Sequence, residues 1–139
     1  VKELVAAVDA AGLSQCVRIP GHCSDMPAAF MAAEIVVAPS IEPEAFGRAA
    51  VEAQAMGRTL IASDLGAQAE TVADGVTGFL FKPGDAEALA KLILKALALA
   101  PAEREEMKAA ARARVLKSYT VDAMCAATLD VYREVMAKR

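Results

Sequence analysis

The sequence predicts an α/β fold in which a parallel sheet carries helices on both faces and is followed by C-terminal helices. Short apolar runs, Ile35-Val36-Val37 and Leu60-Ile61-Ala62, recur between stretches of helical spacing, the alternation that parallel βα units require. Hydrophobic residues make up 56% of the chain but aromatics only 4%, and alanine dominates; small-residue helices packed closely on a sheet have that composition. From Asp85 onward the strand pattern stops and only helical spacing continues.

Taken in order, residues 2–11 set Leu4, Val5 and Val8 on one side of a helix that Gly12 stops. This helix begins without a capping signal, so the chain is expected to be cut from something longer. Val17–Pro20 reads as a short strand, and Ser24 as the N-cap of a helix running through Ala33, with Asp25 as a second candidate cap. Glu34–Ala38 is a buried strand of β-branched residues. A helix starts near Gly47 and stops at Gly57, and Thr59–Ala62 forms the next strand. A loop over Ser63–Ala67, a short helix over Gln68–Ala73, a turn at Asp74-Gly75 and a strand over Gly78–Phe81 complete the βα part. Asp85 caps a helix with the stripe Leu89, Leu92, Ile93, Ala96 and Leu97; Pro101 opens the next, whose early charged residues read as a solvated face. Thr120 caps the last helix, and its stripe Val121, Met124, Cys125, Thr128, Leu129, Tyr132 and Val135 reads as core.

A chain of 139 residues suffices for one domain with its own core, and neither an internal repeat nor a second domain is visible. The net charge of −3 argues against a nucleic-acid surface. Cys16, Cys23 and Cys125 are odd in number and lack a CxxC spacing, which suits reduced thiols in a cytosolic protein. With no apolar run of membrane-spanning length and no signal peptide, a soluble, cytoplasmic protein is expected.

The chemistry concentrates in Pro39–Gly57, which runs from a strand end through a loop rich in Pro and Glu into a helix of small residues. Glu44 and Glu52, eight positions apart, bracket the loop-to-helix transition. A helix opening at Gly47 directs free N–H groups and its positive dipole end into the loop, a setting suited to phosphate. Glu52 has Ala49, Ala50, Val51, Ala53 and Ala55 as chain neighbours. A carboxylate desolvated among such residues needs hydrogen-bond donors, and a ribose diol supplies two. The plainer alternative makes Glu52 a solvent-facing helix residue and Glu44 a loop acid.

This stretch resembles the Glu-x7-Glu motif of retaining glycosyltransferases, in particular glycosyltransferase family 4. The likeness continues through Val17–Gly21, Leu60–Gly66, Glu70–Val72, Asp74–Leu80 and Pro83–Asp85, in order and with matching gaps. It implies a Rossmann-like sheet, the C-terminal half of a GT-B fold truncated at its N-terminus. Residues 1–139 would then be a single partial nucleotide-sugar-binding domain. In such an enzyme Glu52 accepts hydrogen bonds from the ribose hydroxyls, while Glu44 bonds the donor sugar and turns its anomeric carbon toward the acceptor. The N–H groups of Phe46, Gly47, Arg48 and Ala49 meet the sugar and diphosphate. Gly66 lines the phosphate side of the cleft; Ala67 stands where a second glycine is usual, with its N–H still available. Gly21 and His22, after the first strand, fall where the base meets the backbone. Arg48 departs from the usual aliphatic residue; it either adds charge near the diphosphate or faces solvent, and the second is preferred because backbone groups already serve the phosphate.

The resemblance implies transfer of a hexosyl unit from a nucleoside-diphosphate sugar to an acceptor hydroxyl, with no cofactor or metal. The motif variant is similar to that of transferases of lipopolysaccharide or other cell-envelope glycan assembly. The Arg and Lys that normally clamp the diphosphate, and the acceptor-binding domain, would precede residue 1. The chain alone is therefore expected to be inactive and prone to self-association, with any peripheral membrane contact made through the missing half. His22 beside Cys23 is weak support for a metal without a second ligand pair. No GxGxxG, P-loop or Ser-His-Asp set is present, and no lysine lies between Ile19 and Phe81 to hold pyridoxal phosphate. A receiver domain would need clustered acids at its first strand and a loop lysine, which are lacking. A non-catalytic nucleotide-binding Rossmann-like module remains the alternative, although a scaffold needs neither Glu44 nor Glu52.

Overall fold

In the computed structural model, which describes residues 1–138, three parallel strands form one sheet in the order β1-β2-β3. These are β1 (Ile35–Ala38), β2 (Thr59–Ser63) and β3 (Phe79–Phe81). Val36 faces Leu60 across the first pair, and Ala62 faces Leu80 across the second. The helices are α1 (Lys2–Ala10), α2 (Met26–Ala32), α3 (Arg48–Ala55), α4 (Ala67–Thr71), α5 (Ala86–Leu97), α6 (Pro101–Ser118) and α7 (Val121–Ala137).

The two-residue period of the central strand divides the core. Leu60 and Ala62 pack with Phe30 of α2, Ala50 and Ala53 of α3, and Val72. Ile61 points the other way, into Phe79, Phe81, Ala96 of α5 and Met107 of α6. Both sheet faces are therefore covered, and all five residues of β2 are buried. The predicted α5 stripe falls here, with Leu89, Leu92 and Ile93 against this second cluster. Alanine at positions 50 and 53 lets α3 lie close to the sheet, and neither residue retains exposed surface.

Local signals set most helix ends. Asp85 accepts the N–H of Ala88 at 2.8 Å, Thr120 that of Ala123 at 3.2 Å, and Pro101 occupies the first position of α6. The cap of α2 is Asp25, which accepts the N–H of Ala28 at 3.0 Å, rather than Ser24. A carboxylate three residues before that donor completes the bond, and the serine lies one residue too far back. The early charges of α6 are partly engaged: Arg104 pairs with Glu34, and Glu103 accepts the N–H of Ala100.

Three further predicted features differ. The strand expected to be buried at Glu34–Ala38 forms but is buried only at Ala38, because β1 is an edge strand with Val37 exposed. Val17–Pro20 is irregular rather than a strand, because among the described residues β1 bonds only to β2 and no ladder partner reaches this segment. The α7 stripe is exposed rather than core: no residue of α7 is buried, and Met124, Tyr132 and Val135 lie open. The same holds for α1. Among the described residues no helix is long and apolar enough to cross a membrane.

Candidate functional site

The loop leaving β1 and the loop leaving β2 meet at the carboxyl edge of the sheet, the edge where parallel α/β folds bind ligands. Gly47 makes the turn into α3 in a left-handed conformation, φ +69°. Its carbonyl accepts the N–H groups of Ala50 (3.0 Å) and Val51 (3.2 Å). The N–H groups of Arg48 and Ala49 precede the first available acceptor and open outward from the helix end. Phe46 lies just before the turn, half exposed, its ring edge-on to Tyr119 with centroids 6.1 Å apart.

Glu44 is held on one oxygen. Ser40 Oγ donates to Glu44 Oε1, and Gln68 Nε2 approaches the same oxygen at 3.4 Å and Ser40 Oγ at 3.3 Å. Gly66 brings the second loop against the first: a Cβ there would stand 3.1 Å from the backbone N and O of Glu44. The N–H of Ala67, expected to be free for a ligand, instead donates to Glu44 O at 3.3 Å. Gly66 thus fixes the backbone that carries Glu44.

Glu52 occupies the flank of α3 rather than its buried face, which belongs to Ala50, Val51, Ala53 and Gln54. Its side chain retains 38% exposure, so the desolvation expected from its alanine neighbours is only partial. Arg48 Nε (3.1 Å) and Nη2 (2.8 Å) both donate to Glu52 Oε1. Arg48 is 82% exposed, and its guanidinium is engaged with the carboxylate. Glu52 and Arg48 border a cavity of about 370 Å³ whose floor is Met26, Pro27, Phe30 and Met56. That floor is apolar and the rim charged, a combination suited to a base with a ribose at its edge.

Gly21 and His22 lie in the exposed irregular segment ahead of this cavity, which Ser24 borders. Among the described residues no group of three or more His, Cys, Asp or Glu side chains is arranged to hold a metal. A second cavity of about 390 Å³ lies between α5 and α6, away from both glutamates; the ammonium of Lys95 there sits 4.7 Å from the Phe79 ring centroid, in a packing role.

The structure therefore brings Glu44, Phe46, Gly47, Arg48, Ala49, Glu52 and Gly66 to one edge. It adds Ser40, Gln68 and Tyr119, which the sequence reading missed. Only Ser40, four residues from Glu44, had a local signal.

Residues 1–114 match the family model described as glycosyl transferases group 1. The chain is 41% identical over 107 residues to the D-inositol 3-phosphate glycosyltransferase of Streptomyces avermitilis, covering 77% of this chain and 22% of that protein. Among solved structures, a glycosyltransferase from Rickettsia africae superposes with a TM-score of 0.86 at 34% identity, over 97% of this chain and 35% of that one. Anabaena Alr3699/HepE, solved in complex with UDP, gives 0.87 at 31% identity over 94% and 36%. The fold is the Rossmann-like half of a GT-B glycosyltransferase. The chain spans about a fifth to a third of the lengths of these proteins.

Proposed function

The chain belongs to the group 1 glycosyl transferases, and from that premise we propose that it is the donor-binding part of a retaining family 4 enzyme. Such an enzyme transfers a hexosyl unit from a nucleoside-diphosphate sugar to an acceptor hydroxyl. The observation that carries this reading is the placement of Glu44 just before, and Glu52 about one turn after, the open N-terminus of α3, with Glu52 bordering an apolar cavity. Alr3699/HepE has been solved with UDP-glucose, which supports a nucleotide sugar as donor.

The ribose hydroxyls donate to Glu52, whose Oε2 is left open by the attachment of Arg48 to Oε1. The diphosphate meets the N–H groups of Phe46, Gly47, Arg48 and Ala49, and the sugar donates a hydroxyl to Glu44. As the bond from the anomeric carbon to the diphosphate breaks, the departing oxygen keeps the electron pair, while the acceptor oxygen bonds to the same face of that carbon and passes its proton to the departing diphosphate. The helix N-terminus stabilises that developing charge without metal. Glu44 is then the catalytic residue, orienting the anomeric carbon toward the acceptor. Gly21 and His22 flank the base, the reaction runs in the cytoplasm, and the acceptor-binding half lies on a separate domain. An acceptor in lipopolysaccharide or another cell-envelope glycan rests on the motif likeness; the Streptomyces relative's name points to an inositol phosphate hydroxyl instead.

Glu52→Gln in the full-length enzyme tests the assignment. Charge-assisted hydrogen bonds contribute roughly 1.5–3 kcal/mol each, so even partial loss should weaken UDP binding about tenfold. Glu44→Gln should reduce turnover more than UDP affinity, because its partner is the sugar. Wild-type affinity for UDP in Glu52→Gln, measured by calorimetry, would show the ribose assignment to be wrong.

A further inference from the structure

We infer that Gln68, acting with Ser40, is a positioning residue for Glu44 and sets how strongly the site prefers a nucleotide sugar over the bare nucleotide. The inference rests on the donor-site reading above and assigns the residue that makes Glu44 specific. Gln68 lies in the first turn of α4, 24 residues from Glu44, and is 1% exposed. A buried amide at that place needs a reason, since an apolar side chain would fill the volume without losing hydration.

The geometry supplies one. The Gln68 side chain passes beneath the turn into α3, with its Cγ 3.2 Å from where a Cβ on Gly47 would stand. Its Nε2 carries two hydrogens and has two acceptors, Ser40 Oγ at 3.3 Å and Glu44 Oε1 at 3.4 Å. Ser40 passes its own hydrogen to the same Glu44 oxygen. Two donors, the Ser40 hydroxyl and one Gln68 N–H, converge on Oε1, so the carboxylate is fixed through one oxygen and Oε2 is left on the side of Gly47, 4.0 Å from that Cβ position. Among the described residues Gln68 Oε1 is buried without a partner. The amide's polar contacts in this cluster are therefore made through its donors.

Fixing one oxygen removes rotamer freedom that the carboxylate would otherwise lose on meeting the sugar. The benefit exists only when a sugar is present, so it raises affinity for the nucleotide sugar and leaves the nucleotide unaffected.

The experiment is calorimetric titration of the full-length enzyme with UDP and with UDP-glucose, on wild type, Gln68→Met, Ser40→Ala, Glu44→Gln and the double variant Gln68→Met/Glu44→Gln. Met keeps length and volume without donors; Ser40→Ala perturbs the same cluster with less risk to folding. The expected result is UDP affinity within about twofold of wild type in Gln68→Met and a loss of about fivefold for UDP-glucose, the scale of one ordinary hydrogen bond. In the Glu44→Gln background Gln68→Met should cost little more, since both act through one carboxylate. Equal weakening of UDP and UDP-glucose by Gln68→Met, or an undiminished loss in the Glu44→Gln background, would assign Gln68 a merely structural role and overturn the inference. A wild-type enzyme that binds neither probe would instead overturn the donor-site reading, and this inference with it.

Discussion

Gly66 joins the two loops of the site through a contact that no other residue can make. Its backbone (φ +56°, ψ −140°) lies in a region essentially confined to glycine. A Cβ there would press on the backbone of Glu44 at 3.1 Å and of Pro43 at 3.2 Å, atoms with no rotamer through which to escape. Gly66→Ala should therefore destabilise the fold by about 1–3 kcal/mol and displace Glu44. Thermal unfolding checks the first effect, and a melting temperature equal to wild type would mean that the loops part without cost. The shared placement of Glu44, Gly47 and Glu52 was legible in the sequence because it is set within one loop and the start of one helix. Gln68 and Tyr119 were not: they reach Glu44 and Phe46 across 24 and 73 residues, and nothing local marks a glutamine or tyrosine for such a contact. The free N–H expected at Ala67 failed for the same reason, since its partner, Glu44 O, lies on the other loop.

Elements differ in how firmly they are anchored, and the difference sets their expected dynamics. Residues Ala50, Ala53, Leu60, Ile61 and Ala62 have no exposed surface, whereas α1 and α7 bury no residue at all. Most helical stability in a protein comes from packing an apolar face, so helices that bury no residue should open independently of the core. Amide exchange is expected to be slowest in β2 and α3 and to approach unprotected rates in α1 and α7. Equal protection of α7 and α3 would refute this. The helix starts at Asp85, Thr120 and Pro101 were readable because a capping bond, or a proline at the first helical position, acts between neighbouring residues. The strand expected at Val17–Pro20 was not a matter of local preference: a strand exists only with a partner, and the ladder ends at β1. The α7 stripe likewise fixed which face is apolar without fixing what covers it. Between these extremes stands α6, tied to α4 by Arg114, whose Nη2 and Nε donate to Glu70 O (2.7 Å) and Thr71 O (3.1 Å).

At the scale of the molecule, the uncovered surfaces have a collective consequence. Val121, Met124, Leu129, Tyr132, Val135 and Met136 all stand more than half exposed along one 17-residue helix. Leu4, Val5 and Leu13 add to the exposed apolar surface, as does Val37 on β1, which bonds to a neighbour on one side only. Apolar patches of this extent drive association, and an open strand edge offers a second route to it. The opposing force is weak, because a net charge of −3 gives little repulsion between copies. The 139-residue chain should therefore self-associate, its weight-average mass in sedimentation rising above 14.5 kDa with concentration. The two routes separate by mutation. Tyr132→Glu with Val135→Glu places charge on α7 without touching the sheet and should return the chain to a monomer if the helix face is responsible. Association that survives this change, and is relieved by Val37→Lys, would assign it to the β1 edge. A chain that remains monomeric at every concentration would mean that α7 and α1 cover their apolar faces in solution, contrary to their exposure in the structure.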